Sequence, residues 1–165
     1  AAGRTVCSAC TGNDLKKTMS TGNQTYPRYE LNDLPCGLER EHGFLVTREE
    51  GERFSYESGD NHPLHCDARF SRERGYPDLL VHGMLVAARC SSFIARNFIG
   101  SHGILVSMSS DFRHPVYCGD ELNWRGQVVS VNADVATIEL RWQVTNSRGV
   151  VVQLGTACSL LSKRS

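Results

Sequence analysis

Two short stretches of the 165-residue chain concentrate side chains that could do chemistry. The first is Tyr56-Glu-Ser-Gly-Asp-Asn-His-Pro-Leu-His65, in which Asp60 and His65 lie five residues apart around a turn that Pro63 stiffens. A carboxylate and an imidazole held together can grip one water molecule and move its proton. The second is Val81-His82-Gly83-Met84, where a glycine opens a long apolar run with helical spacing. Backbone N–H groups at a helix start have no intrahelical partner and sit at the positive end of the helix dipole. A carbonyl oxygen brought there would be polarised, and the absent side chain of Gly83 would let it come close. Alone, Asp60 would read as a turn residue, because Gly-Asp-Asn is ordinary turn chemistry. With His65 and the His82-Gly83 pair beside it, Asp60 reads as a catalytic candidate.

Other reactive side chains carry weaker signals. His82 lies among apolar residues at a helix start, which suits bonding to the neighbouring loop better than proton transfer. His62 and His65 could face one side and hold a metal, but spacing defines no third ligand, so no metal is expected. Cys7-Ser-Ala-Cys10 has the spacing of half a zinc site, without the second pair that would complete one. Cys66 follows His65 directly, yet nothing charged would hold it as a thiolate, and packing is its expected role. His42, His102 and His114 read as surface or turn residues. Arg69, Arg72 and Arg74 lie between the two motifs, where they could meet phosphate groups.

The elements that must position these residues emerge from periodicity. Pro27, Pro35, Gly37 and Gly43 break the chain up to a short strand expected at about 44–47. Thr47-Arg-Glu-Glu50 has the spacing of a capping box, so a helix should run from there towards Tyr56 and stop at Ser58-Gly59-Asp60. Val81 to Phe98 places Met84, Ala87/Ala88, Ser91, Ile94/Ala95 and Phe98 at three- and four-residue spacing, the mark of one long buried helix. Beyond Gly100 the period becomes two. Strands are expected at about 104–109, 122–131, 136–145 and 150–161, with turns at Asn132-Ala-Asp134 and Asn146-Ser-Arg-Gly149. An α+β domain results, in which one long helix and one antiparallel sheet bury each other's apolar faces.

Composition narrows the function classes. The 18 Lys+Arg balance 18 Asp+Glu, so no nucleic-acid partner is expected. No window approaches the roughly 18 consecutive apolar residues of a membrane-spanning helix, and a soluble protein is expected. Seven cysteines, an odd number spread along the chain, fit a reducing intracellular compartment better than a disulfide framework. Ala1–Thr25 is rich in Ser, Thr, Gly and Asn and reads as a flexible arm, leaving 26–165 as a single domain. The chain does not begin with Met, and this acid-poor stretch would suit a segment lying just after a mitochondrial presequence, making the matrix a plausible location.

The run Ser58-Gly59-Asp60-Asn61-His62-Pro63-Leu64-His65, with Gly75-Tyr76-Pro77-Asp78-Leu79-Leu80-Val81-His82-Gly83-Met84-Leu85 after it, resembles the MaoC-like dehydratases, the (R)-specific enoyl-CoA hydratases of hot-dog fold. The likeness covers about 44–161 and leaves the arm outside it. It implies an antiparallel sheet wrapped around one central helix. The activity it implies is reversible syn hydration of a trans-2-enoyl thioester to a (3R)-3-hydroxyacyl thioester, carried by CoA or acyl carrier protein. The family's aspartate falls on Asp60 and its histidine on His65, with the Gly83 N–H taking the thioester oxygen, and no cofactor is implied. His62, His82, Met84, Arg69, Arg72 and Arg74 are then expected around the substrate, and Phe54, Met84, Phe93 and Phe112 along an acyl tunnel. One departure stands out: the family has Asn two residues after its aspartate, where this chain has His62. The resemblance also implies a homodimer, or pairing with a related hot-dog subunit. The rival expectations are a non-catalytic hot-dog subunit serving as a scaffold, motivated by His62 and the arm, and an acyl-CoA thioesterase.

Overall fold

The computed structural model describes residues 26–161; the Ala1–Thr25 arm and the Cys7/Cys10 pair lie outside them. The elements run β1 (Glu39–Leu45), α1 (Arg48–Ser58), α2 (Pro63–Cys66), α3 (Ala68–Glu73), α4 (Gly83–Ile94), β2 (Ile104–Met108), β3 (Asp111–Phe112), β4 (Glu121–Asn132), β5 (Thr137–Asn146) and β6 (Val151–Leu160). One antiparallel sheet has the order β1-β4-β5-β6-β2, with β3 paired to β6.

Period-two patterning dictates the sheet. On β4, Leu122, Trp124 and Val128 turn inward while Glu121, Asn123 and Arg125 face solvent; on β5, Ile138, Leu140, Trp142 and Val144 turn inward. Two glycines make room for the indoles: a Cβ on Gly155 of β6, in register with Trp142, would lie 2.7 Å from Trp142 Cζ2, and a Cβ on Gly126 of β4 would lie 2.6 Å from the Trp124 ring. The two expected turns form, with the Asn132 side chain accepting from the Asp134 and Val135 N–H groups and Asn146 accepting from Arg148 and Val150. The helix packs on this surface through Phe93 and Phe98, whose rings lie 5.7 and 6.1 Å from that of Trp124. Burial pushes the Cys90 thiol of α4 up to about 12, so it stays protonated and packs as an apolar group.

Three expectations need correcting. The first strand begins earlier than 44, at Glu39, because pairing with Gln127 through Glu121 of β4 extends it through charged residues with no apolar alternation. The segment read as loop after Asp60 contains α2 and α3, the latter started by Asp67, whose carboxylate accepts from the Arg69 and Phe70 N–H groups. On α4 the buried face runs through Val86, Ala87, Cys90, Phe93 and Ile94. Met84 and Ala88 face outward and Ser91 and Ala95 are only half-buried. The segment is apolar on most sides, so spacing alone placed the stripe a few positions off; a π-helical turn at Ala95–Ile99 then brings Phe98 and Ile99 back to the core.

Candidate active site

The end of α1, the α2 turn and the start of α4 meet at one corner of the sheet. The capping box forms as expected: Thr47 Oγ1 accepts from the Glu50 N–H and the Glu50 carboxylate accepts from the Thr47 N–H. The same carboxylate takes the Arg89 guanidinium of α4, which docks the first turn of α1 on the central helix. At the other end Gly59 adopts the left-handed conformation, φ 76°, that an L side chain resists, and the chain turns off α1 straight into Asp60.

Asp60 and His65 are brought together. Asp60 is exposed, and its Oδ1 accepts from the His62 N–H at 3.3 Å. His65 Nδ1 lies 2.8 Å from the Leu80 carbonyl oxygen. A carbonyl only accepts, so Nδ1 carries a proton, and in the neutral ring Nε2 then holds the lone pair, the form a base needs. Ligand-type atoms of Asp60, His65 and His82 all fall within 4.8 Å of one another. The His65 and His82 rings are nevertheless stacked, centroids 3.9 Å apart and 25° from parallel, so their in-plane lone pairs run side by side instead of converging on one ion.

His82 is 2% exposed, and its Nε2 lies 3.0 Å from the Asp60 carbonyl oxygen and 3.2 Å from Ser55 Oγ. Burial holds its pKa below the ordinary imidazole value, outweighing the Asp60 carbonyl that favours the charged form, and nearby His65 lowers it further. His82 is therefore a neutral donor, with Nε2–H directed at the chain that carries Asp60. It caps α4 with no side-chain bond, and the Leu85 and Val86 N–H groups return to its carbonyl, which leaves the Gly83 and Met84 N–H groups at the helix start without a partner among the described residues.

A cavity of about 360 Å3 opens on this corner, with Asp60, His65, His82, Gly83, Met84 and Phe112 among its walls. A Cβ on Gly83 would lie 2.5 Å from Phe112 Cδ1, so any side chain there would have to displace that ring. Of the four residues expected along an acyl tunnel, Met84 and Phe112 line the cavity. Phe54 instead backs His82, ring centroids 5.1 Å apart, and Phe93 packs in the core against Trp124. His62 caps α2, its Nδ1 accepting from the Leu64 N–H, and lies outside the cavity.

The three arginines expected around the substrate do not line the cavity either. Arg69 pairs with Glu73, Arg74 lies over the Phe70 ring and Arg72 is exposed. Arg113 and His114 do line it, their N–H groups anchored on the Val152 carbonyl at 2.9 and 3.2 Å. So does Gln153, 2% exposed, whose amide donates to Ser110 Oγ and the Gly83 carbonyl. Arg113 and His114 escaped the sequence reading because 112–114 looked like a linking turn; the short β3 folds that segment along β6 and over the site.

Known proteins resemble the chain in sequence and in architecture. A mitochondrial 3-hydroxyacyl-[acyl-carrier-protein] dehydratase of Arabidopsis thaliana is 40% identical over 78 residues, 47% of this chain and 46% of that protein. A mitochondrial protein of the same description from Solanum lycopersicum is 44% identical over 72 residues, 44% of this chain and 42% of that protein. The chain thus matches less than half the length of these plant relatives. The solved (R)-hydratase of A. caviae superposes with a TM-score of 0.74 at 26% identity, covering 78% of this chain and 98% of that one. The antiparallel sheet with its long central helix is the hot-dog fold. The family model described as the MaoC like domain matches residues 36–148, and the chain belongs to that family.

Proposed function

We propose that the protein interconverts trans-2-enoyl and (3R)-3-hydroxyacyl thioesters by adding or removing water. The observation that carries this reading is the 2.8 Å contact between His65 Nδ1 and the Leu80 carbonyl oxygen: in the neutral ring it spends Nδ1–H there and turns Nε2 into a base beside the Asp60 carboxylate and the uncapped start of α4. A water held by Asp60 and His65 has one hydrogen on each. As its oxygen bonds to C3, one of these groups takes a proton, and the electron pair of the C2–C3 double bond shifts towards the thioester oxygen. The Gly83 N–H, at the positive end of the helix, stabilises the charge that grows there. The proton then goes to C2, on the face from which the water came, so both parts of one water add syn. The reverse sequence removes C2–H and expels the C3 hydroxyl as water.

Names of the plant relatives support an acyl carrier protein thioester and a mitochondrial location; the A. caviae enzyme's description supports a CoA thioester. No described helix is long and apolar enough to cross a membrane. The two sheet edges differ in a way that supports pairing with a second copy. Edge strand β1 carries Glu39, Arg40 and Glu41, whereas edge strand β2 exposes Ile104 at 60% and Val106 at 58%. An apolar open edge is a template for another strand. Val106→Glu should lower the mass measured by light scattering from two chains to one; an unchanged mass removes β2 from the interface.

The deciding assay tracks loss of enoyl absorbance with crotonyl-CoA and a longer 2-enoyl-CoA, for the protein and for Asp60→Asn and His65→Asn. Each substitution should cut kcat/KM by about 10²–10⁴. A folded protein that turns over no thioester would sink the reading.

A further inference from the structure

Ser55 is the single buried residue of α1, a helix that otherwise shows solvent a polar surface. Burying a hydroxyl is unfavourable unless it is bonded. Ser55 Oγ has two polar neighbours, His82 Nε2 at 3.2 Å and Cys66 Sγ at 3.5 Å. The Asp60 carbonyl, 3.0 Å from the same Nε2, can only accept, which fixes the proton on Nε2. Ser55 Oγ is then the second acceptor of a forked N–H. The ring it holds is the one stacked on His65, and the carbonyl that shares the fork belongs to Asp60. One hydroxyl therefore links α1 to both groups of the proposed chemistry, without lining the cavity itself.

We propose that Ser55 is a positioning residue: its hydroxyl, the second acceptor of the Nε2–H that the Asp60 carbonyl fixes, keeps the His82 ring in place behind His65, and through His82 it holds the main chain at Asp60. This rests on the hydration reading for its kinetic consequence and is independent of that reading for its structural one. Leaving the fork with a single acceptor frees the ring to turn, since Nδ1 is buried without a hydrogen-bond partner and gains nothing from its present orientation. Any turn of His82 removes the surface on which His65 is stacked.

The test uses the whole chain labelled with 15N-histidine, in wild type, Ser55→Ala and Ser55→Thr. In wild type, one imidazole should show a slowly exchanging Nε2–H that persists at neutral pH and vanishes in His82→Gln. In Ser55→Ala its exchange should speed at least about tenfold, with kcat falling roughly tenfold and KM within about twofold, because binding is left and positioning is lost. Ser55→Thr keeps the hydroxyl and should restore both; melting curves check that each variant folds. An unchanged Nε2–H and unchanged kcat in a folded Ser55→Ala would overturn the proposal. Should the wild type turn over no thioester, the hydration reading falls and the imidazole exchange alone decides the role of Ser55. A Ser55→Thr that does not fold leaves the Ser55→Ala comparison to decide.

Discussion

The β4–β5–β6 core and the corner where α1, α2 and α4 meet are built on opposite principles. In the core, Trp124, Val128, Ile138, Leu140, Trp142 and Val144 are all at most 1% exposed, and shape does the selecting. At the corner the contacts are polar: a forked N–H, an imidazole stack, a carbonyl holding a tautomer and an uncapped helix end. Core side chains release apolar surface from water and stabilise whatever stands on them. Corner side chains keep unspent hydrogen-bonding capacity, which costs stability and is what chemistry requires. Substitutions should therefore separate the two regions, with activity lost at one and stability at the other.

The largest effect is expected at the proposed catalytic pair. Asp60→Asn and His65→Asn should lose activity by about 10²–10⁴ while Tm moves by only a few degrees, since neither side chain belongs to the packed core. A loss of Tm comparable with that of a core truncation would erase the distinction. Trp142→Ala should do the converse. It empties the space beside Gly155 and should cost about 3–5 kcal/mol in urea unfolding, with kcat altered far less among molecules that remain folded.

A smaller effect joins the two regions through pH. His82 is buried in the folded chain and its neutral form is favoured there, whereas in the unfolded chain it titrates near the ordinary value of 6.5. Below that value the unfolded state binds the extra proton, so stability must fall as pH drops, until folded His82 is itself protonated. Urea midpoints at pH 8 and pH 5 should differ less in His82→Gln than in wild type. Equal pH slopes would show that His82 is not a neutral, buried group.

How much of this could be read from the sequence divides along the same line. Strands β4, β5 and β6 were legible because two-residue alternation is imposed by the pleat itself, and Thr47-x-x-Glu50 was legible because a capping box acts within four residues. Asp60, His65 and Gly83 were legible as types at a spacing, and the structure places all three on one cavity. Strand β1 was cut short, since an edge strand whose residues mostly face solvent needs no apolar period. Ser55 and Gln153 were invisible because a buried serine or glutamine acquires its role only from partners 27 and 70 residues away. Met84 was put on the buried stripe because a helix apolar on most sides carries too little contrast for spacing to choose a face.

The smallest effect concerns the anionic end of the proposed substrate, and it decides which rim of the corner the carrier crosses. Arg69 is tied to Glu73 at 3.0 Å with its side chain 86% exposed, and surface pairs of this kind contribute little. Arg113 also has a carboxylate, Asp111 at 3.0 Å, but lies on the cavity wall, and its main chain is anchored on β6. A guanidinium bonded to one carboxylate through one nitrogen has further N–H groups for a phosphate oxygen. If the carrier arm enters on that side, Arg113→Ala should raise KM for a CoA thioester by roughly threefold to tenfold, the scale of one exposed charge-assisted contact. The same variant should leave a short, phosphate-free thioester unaffected, and Arg69→Ala should change neither. The opposite ranking would move the carrier to the α3 side, and with it the expectation that Arg69, Arg72 and Arg74 meet the phosphates.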